Sequence, residues 1–129
     1  MSYNELTRRY FEAPTHVGEL SGPGVFRGEA GTREQGVWVR FDLQAGTGTL
    51  LTARFLAFGC PHTIAIASWL TSHAAGKPLE GALPESIADL RVRFALPVEK
   101  MGRLLIIEDA WLAAATAAID YLRWVPISG

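Results

Sequence analysis

Val37-Trp38-Val39-Arg40-Phe41-Asp42-Leu43 alternates without a break. Val37, Val39, Phe41 and Leu43 fall on one face, and Arg40 and Asp42 on the other. A strand turns successive side chains to opposite faces, so this period of two predicts a strand buried on one side. Gly46-Thr47-Gly48 then turns the chain, and Leu50 to Phe58 supplies a second strand. Two strands about a Gly-rich turn form an antiparallel hairpin. The second strand carries apolar residues on both faces, which predicts a place deeper in the sheet.

Working outward, Thr15 to Thr32 is rich in Gly and contains Pro23. It reads as a loop with one short strand around Val25–Arg27. Before it, Ser2 to Glu12 reads as a short helix, capped by Ser2 or Asn4 and stopped by Pro14. Leu6 and Tyr10 share one face of that helix. Beyond the hairpin, Gly59-Cys60-Pro61 breaks the strand. His62 to Ala75 is helix-compatible, with Ile64, Ala67, Leu70, Thr71 and Ala74 on one stripe. Pro61 suits the first helical position, and Gly76 with Pro78 the stop. A shorter helix starts near Pro84 and includes Ile87 and Leu90. A last long helix runs from Pro97 or Val98 to Arg123. Its inward stripe is Met101, Leu104, Leu105, Trp111, Leu112, Ala115, Ile119 and Leu122. Glu108 falls on that stripe, where an apolar residue is due. Strands followed by helices indicate an α+β layer structure.

The chain has 129 residues, the length of one domain, so 1–129 is read as a single unit. Apolar residues make up 49% and charged residues 19%, a balance that builds a core and argues against disorder. Twelve Lys+Arg against thirteen Asp+Glu leave a net charge of −1. Such a chain has no strong electrostatic pull toward nucleic acid or an anionic membrane. No stretch reaches the ~20 apolar residues of a membrane span, and the N-terminus has no signal-peptide apolar run. One cysteine excludes an internal disulfide framework, and a cytoplasmic location is the simplest reading.

Cys60 is the first candidate for chemistry. A thiol between a strand and a helix start feels the partial positive charge of the first helical N–H groups, which raises its thiolate fraction. His62, two residues on, is placed to assist it. The alternative is that Cys60 is a small buried hydrophobe. Metal spacing is absent from the residues themselves. There is one Cys, and His16, His62 and His73 are widely separated, with no Cys-x-x-Cys or His-x-x-x-His. His16 reads as loop surface or a hydrogen-bonded partner, and His73 as a solvated residue near a helix end. Gly22-Pro23-Gly24 and Gly46-Thr47-Gly48 are turns, not phosphate loops or dinucleotide fingerprints. Glu108 and Asp109 are adjacent on a helix and point in different directions. Trp69, Trp111 and Trp124 read as packing residues, whereas Trp38, on the polar face of its strand, is a candidate contact residue.

Several motifs in order resemble the IscU/NifU N-terminal family of iron–sulfur scaffolds. They are Tyr10-Phe11, Pro14, His16-Val17-Gly18, Ala53-Arg54-Phe55, Phe58-Gly59-Cys60, Ser68-Trp69-Leu70-Thr71, Gly76-Lys77, Leu96-Pro97, Lys100 and Glu108-Asp109-Ala110. The resemblance runs from about Tyr3 to about Ile119, and implies the SufE/NifU-like form of the α+β fold, a small, mostly antiparallel sheet packed against helices. It also implies a ligand set of three cysteines assisted by an Asp and a His. Cys60 matches the middle cysteine. The first falls near Gly31-Thr32 and is absent, and the Asp corresponds loosely to Glu34. The third cysteine and the His before it fall at Arg103 and Gly102. The chaperone-recognition segment of the family survives only as Leu96-Pro97-Val98-Glu99-Lys100, so Leu96, Pro97 and Lys100 are the partner-binding candidates.

One thiolate does not supply the usual coordination of a 2Fe–2S cluster within a monomer. Cys60 and Glu34 are the only metal-ligand candidates that the resemblance leaves. A permanent charge at Arg103 disfavours a bound cation and favours a Cys60 thiolate. The expectation is therefore no cofactor stably held by the monomer, with transient engagement of an iron–sulfur cluster or zinc at most. Three functions follow. The chain is an assembly protein with a degenerate scaffold site. Or Cys60 accepts sulfane sulfur from a cysteine desulfurase, as the SufE proteins do. Or the chain is a non-catalytic pseudo-scaffold that binds and regulates assembly partners. Each makes it a scaffold or carrier rather than a turnover enzyme, with a cysteine desulfurase or another assembly protein as partner. The sequence leaves its oligomeric state open.

Overall fold

The computed structural model describes residues 3–80 and 83–124. Helix α1 spans Glu5–Glu12, and strands β1, β2 and β3 span Val25–Thr32, Val37–Ala45 and Leu50–Phe58. Helices α2, α3 and α4 span Pro61–Ser72, Ile87–Arg93 and Met101–Trp124, and a 3-10 turn at Val98–Lys100 leads into α4. The sheet has the order β1-β2-β3, antiparallel throughout. The architecture is α+β, one small sheet with helices packed on it.

The period-two stretch is the middle strand. Val39, Phe41 and Leu43 are fully buried, and Phe41 lies opposite Gly28 on β1 and Phe55 on β3. Together these residues form the inward face, which α4 covers at β1 and β2, and α2 covers at β3. Trp111 of α4 meets Phe41 edge-on, with ring centroids 5.0 Å apart. Two expectations need correction here. The Gly-rich segment holds not a short strand at Val25–Arg27 but a full one, Val25–Thr32. Gly28 in it lets β1 approach α4 until a Cβ would collide with the backbone at Ala110 and Ala114. Nor is β3 the deeper strand. β2 is central, and β3 bonds beyond it at Leu50 to Gly76 and Lys77 and at Phe55 to the 16–18 segment. There Phe55 N–H donates to the His16 carbonyl, and Gly18 N–H to the Phe55 carbonyl, both at 2.9 Å.

The outer face of β2 is not simply solvated. Asp42 is only 1% exposed. Arg27 donates to it at 2.8 and 3.0 Å, Leu20 N–H at 2.9 Å and Arg40 at 3.3 Å. A buried carboxylate needs such partners, and these tie the loop before β1 onto the sheet. Burial raises the Asp42 pKa, but the Arg27, Leu20 and Arg40 donors outweigh it and hold the carboxyl below its ordinary value.

The helix ends follow local chemistry. Asn4 caps α1 by accepting from Thr7 N–H at 2.9 Å, while Ser2, the other proposed cap, lies outside the described residues. Ser86 caps α3 in the same way. Pro61 takes the first position of α2, which ends at Ser72, three residues short of Ala75. That helix is buried nearly all round, from His62 through Thr71 with only Ile64 half-buried, because α1 covers the side turned from β3. On α4 the inward stripe is Leu104, Ile107, Ala110, Trp111, Ala114, Ala115 and Ala118. Leu105 and Leu122, predicted on it, are exposed, and Glu108 is half-buried at its edge. Small alanines replace leucines there because the sheet lies so close. Trp69 and Trp111 are buried, and the Trp124 side chain lies outside the described residues.

Candidate functional site

β3 ends at Phe58, and the chain must turn at once into α2. Gly59 makes the turn, because a Cβ there would press on Thr63 Oγ1 at 2.9 Å. Cys60 is left as the N-cap of α2, in extended backbone conformation, with Pro61 locking the first helical position. The sulfur is half-buried and makes no capping hydrogen bond. Its polar neighbour is the Thr63 hydroxyl, 3.7 Å away. Burial pushes the thiol pKa up. The backbone N–H and hydroxyl of Thr63, the N–H of His62 and the charge of Arg103 push it down further, so the net shift is downward.

Arg103 lies in the first turn of α4 and is half-buried, with its Nε buried and unpartnered among the described residues. Its charge acts on both Cys60 and His62. The topology thus places Arg103, from the other half of the chain, near enough for its charge to act on the Cys60 thiol. His62 is 2% exposed, and its Nδ1 has no partner among the described residues. The Tyr3 ring packs edge-on against it at 4.7 Å, and Lys100 Nζ lies 5.7 Å from the centre of the same Tyr3 ring. Burial, then the charges of Lys100 and Arg103, lower the His62 pKa to about 4, against a small upward pull from the Phe94 backbone. His62 is therefore a neutral ring near pH 7.

The other candidates are more dispersed. Glu34 is exposed in the turn between β1 and β2. That turn lies at the Cys60 end of the sheet, where Trp38 pairs with Phe58 and the Arg33 guanidinium stacks 5.4 Å from the Phe58 ring centre. At the position of the first family cysteine, a Cβ on Gly31 would collide with the Val37 carbonyl, at a backbone φ of +84° that disfavours any side chain. Leu96 is buried in the core, whereas Pro97 and Lys100 are half-buried. His73 caps the end of α2, stacked on Trp69, and His16 is exposed in the loop. Trp38 is half-buried and donates to Glu29 at 3.3 Å.

Among the described residues, no three His, Cys, Asp or Glu side chains gather as a metal would require. One thiolate, with the charge of Arg103 acting on it, does not supply the usual ligands of a cluster held within one chain. The sequence reading missed Thr63 and Tyr3. Thr63 was findable as the third residue after a helix cap, where a side chain meets the cap. Tyr3 had no signal, since its contacts are with residues far along the chain.

Comparison with known proteins agrees with this fold. A profile of the NifU-like N terminal domain family matches residues 2–124. An iron-sulfur cluster assembly protein IscU of Plasmodium falciparum is 28% identical over 111 residues, covering 84% of this chain and 68% of that protein. Iron-sulfur cluster assembly protein 1 of Arabidopsis thaliana is 29% identical over 117 residues, covering 88% and 70%. The crystal structure of a nitrogen-fixing NifU-like protein (N-terminal) from Brucella abortus superposes with a TM-score of 0.69. The identity is 17%, over 92% of this chain and 94% of that one.

Proposed function

From the premise that the chain belongs to the NifU-like N terminal domain family, we propose that it serves iron–sulfur cluster assembly as a sulfur-transfer protein, with Cys60 as the acceptor thiolate. The observation that carries this reading is the seat of Cys60 at the head of α2, half-buried and 3.7 Å from the Thr63 hydroxyl. The sole thiol sits at a helix start with a lowered pKa, beside a charge that repels a metal cation. Its partner in this reading is a cysteine desulfurase carrying an enzyme persulfide.

The transfer needs no outside oxidant. The Cys60 thiolate attacks the outer sulfur of the donor persulfide, and the S–S bond of the donor breaks. The electron pair of that bond leaves on the donor thiolate, and a new S–S bond joins the sulfane sulfur to Cys60. Release repeats the exchange, with Cys60 as the leaving thiolate. A lowered pKa helps that second step, because a more acidic thiol leaves faster. Thr63 and the head of α2 hold the thiolate in both steps, and Arg103 adds the charge.

The test is incubation with a cysteine desulfurase and cysteine, followed by intact mass measurement. The expected product is this chain heavier by one sulfur atom, reversed by a reducing thiol and absent from Cys60→Ser. No sulfur uptake, with desulfurase binding that survives Cys60→Ser, would instead make the chain a binding module.

A further inference from the structure

Strand β1 has a side that the fold leaves open. Among the described residues it pairs with β2 alone, and no strand lies along its other edge from Val25 to Thr32. An open edge invites a further strand, and proteins guard against this with Lys, Pro or a covering element. β1 carries neither Lys nor Pro. One step before the Val25–Gln44 pair, Ala45 N–H donates to the Gly24 carbonyl. Bonded pairs alternate along an antiparallel ladder. Phe26, Gly28 and Ala30 therefore bond to β2, and Arg27 and Glu29 turn their N–H and C=O groups to the open side.

The sequence of β1 fits its own edge. An antiparallel pairing with a second copy, about a two-fold axis through Gly28, sets Arg27 opposite the partner's Glu29 as a bonded pair, and does so twice. Phe26 then falls opposite the partner's Ala30 on the inner face. A slip of one bonded pair either way sets Arg27 against Arg27, or Glu29 against Glu29, at the axis. Cross-strand like charges are unfavourable and opposite charges favourable, so charge selects the Gly28 register. Within each chain Arg27 is paired with Asp42, and Glu29 lies opposite Arg40. The joined outer face carries a row of alternating sign: Asp42, Arg27, the partner's Glu29, the partner's Arg40.

Helix α4 offers a matching surface above this edge. A Cβ on Gly28 would meet Ala113, a Cβ on Gly31 would meet Ile106, and the Phe26 and Tyr121 rings lie 5.4 Å apart. Ile106, Ala113, Ala117 and Tyr121 thus mark the side of α4 that lies along β1. Ala113, Ala117 and Tyr121 are exposed, and no charge interrupts them. The two-fold axis through Gly28 brings Ala113 toward its counterpart, where bare methyl groups leave room for a second helix.

We propose that β1 joins a second copy of this chain edge to edge about Gly28, with the Ala113 sides of the two α4 helices packed on each other. The turn after β1 lies at the Cys60 end of the sheet, where Trp38 pairs with Phe58. Antiparallel joining sends the two Cys60 thiols to opposite ends of one continuous sheet. Each thiol then meets its own reaction partner, and the two do not share a ligand within the dimer. The pairing is independent of what Cys60 carries.

Sedimentation velocity over a dilution series of the full chain tests this. A dimer that dissociates on dilution is expected. Glu29→Arg sets a guanidinium against Arg27 on both sides of the axis and weakens association by about a hundredfold. Arg27→Glu does the same with carboxylates. Mixing these two variants restores opposite charges at both positions, so the mixture forms a dimer although neither variant does alone. Arg27→Glu also removes a donor from Asp42; if it fails to fold, Ala113→Glu, at an exposed position, takes its place. Ala113→Glu is expected to abolish association with the unfolding midpoint of the monomer unchanged. Amide exchange at Arg27 and Glu29 slows as the wild-type concentration rises. A chain that stays monomeric throughout the series would overturn the proposal, even if its β1 edge accepts a strand from an unrelated protein. So would a dimer indifferent to both Glu29→Arg and Ala113→Glu, or one in which exchange at Arg27 and Glu29 stays the same.

Discussion

Gly28 and Ala114 touch backbone to backbone, with no room between β1 and α4 for even a methyl group. The contact sets how closely the longest helix lies on the sheet, and so where the first turn of α4 carries Arg103. Gly28→Ala must push the helix away, and we expect a loss of about 3 kcal/mol, at the upper end for overpacking. Urea unfolding measures it. Gly102→Ala is the control, since that helical glycine has nothing within 4 Å and no positive φ. It is expected to gain about 0.5 kcal/mol from helix propensity. Equal losses in the two variants would refute the close approach.

Asp42→Asn removes the charge that Arg27, Arg40 and Leu20 N–H converge on. A loss of about 2 kcal/mol is expected near pH 7, because buried donors lose a charged acceptor. The carboxyl has a lowered pKa in the folded chain. Its stabilisation is therefore complete above about pH 4, where the unfolded carboxylate is also ionised, and is lost as pH falls through the folded value. The stability gap between wild type and Asp42→Asn closes toward acid. A gap independent of pH would show that the ion cluster contributes nothing.

Cys60 is the chain's one thiol, so pH-dependent alkylation reports it without competition. Arg103→Gln and Thr63→Val each remove an interaction that lowers its pKa. Both variants are expected to titrate at higher pH and to react severalfold more slowly at neutral pH. Added salt should narrow the difference for Arg103→Gln, by screening a Coulomb effect, and leave that for Thr63→Val. Titration curves that coincide with wild type in both variants would remove the case for an activated thiol.

Trp111→Ala opens a cavity between α4 and β2, against Phe41. A loss of about 4 kcal/mol is expected for so large a buried ring. Thermal unfolding followed by circular dichroism gives the value. A loss under about 1 kcal/mol would mean that the helix does not pack as described.

The hairpin was legible because Val37 to Leu43 obeys one period and Gly46 to Gly48 interrupts it. β1 was not, because its glycines look like a loop. Gly28 is there for the sake of a helix more than 80 residues later, and nothing local announces that. The rank of β3 was misread for a related reason. Its outer apolar residues, Leu51 and Phe58, are exposed rather than covered, so apolar content was not a measure of depth. The pattern placed Asp42 only on the face opposite the apolar one; its burial comes from Leu20 and Arg27, which fold back over it. At the site, Gly59-Cys60-Pro61 spelled out the strand-to-helix turn on its own. Arg103 became a candidate only through the family resemblance. His62 looked like a helper of Cys60, yet its neighbours are Tyr3 and Lys100, which no spacing rule connects.

A lone thiol at the head of α2 has no second cysteine in the chain to resolve it. Whatever is loaded onto Cys60 departs only by collision with another molecule, never by closing a ring inside this one. Mild oxidation, too, has a single covalent outcome between chains, a symmetric dimer bridged at Cys60, with the hydrophobic cores of both copies untouched.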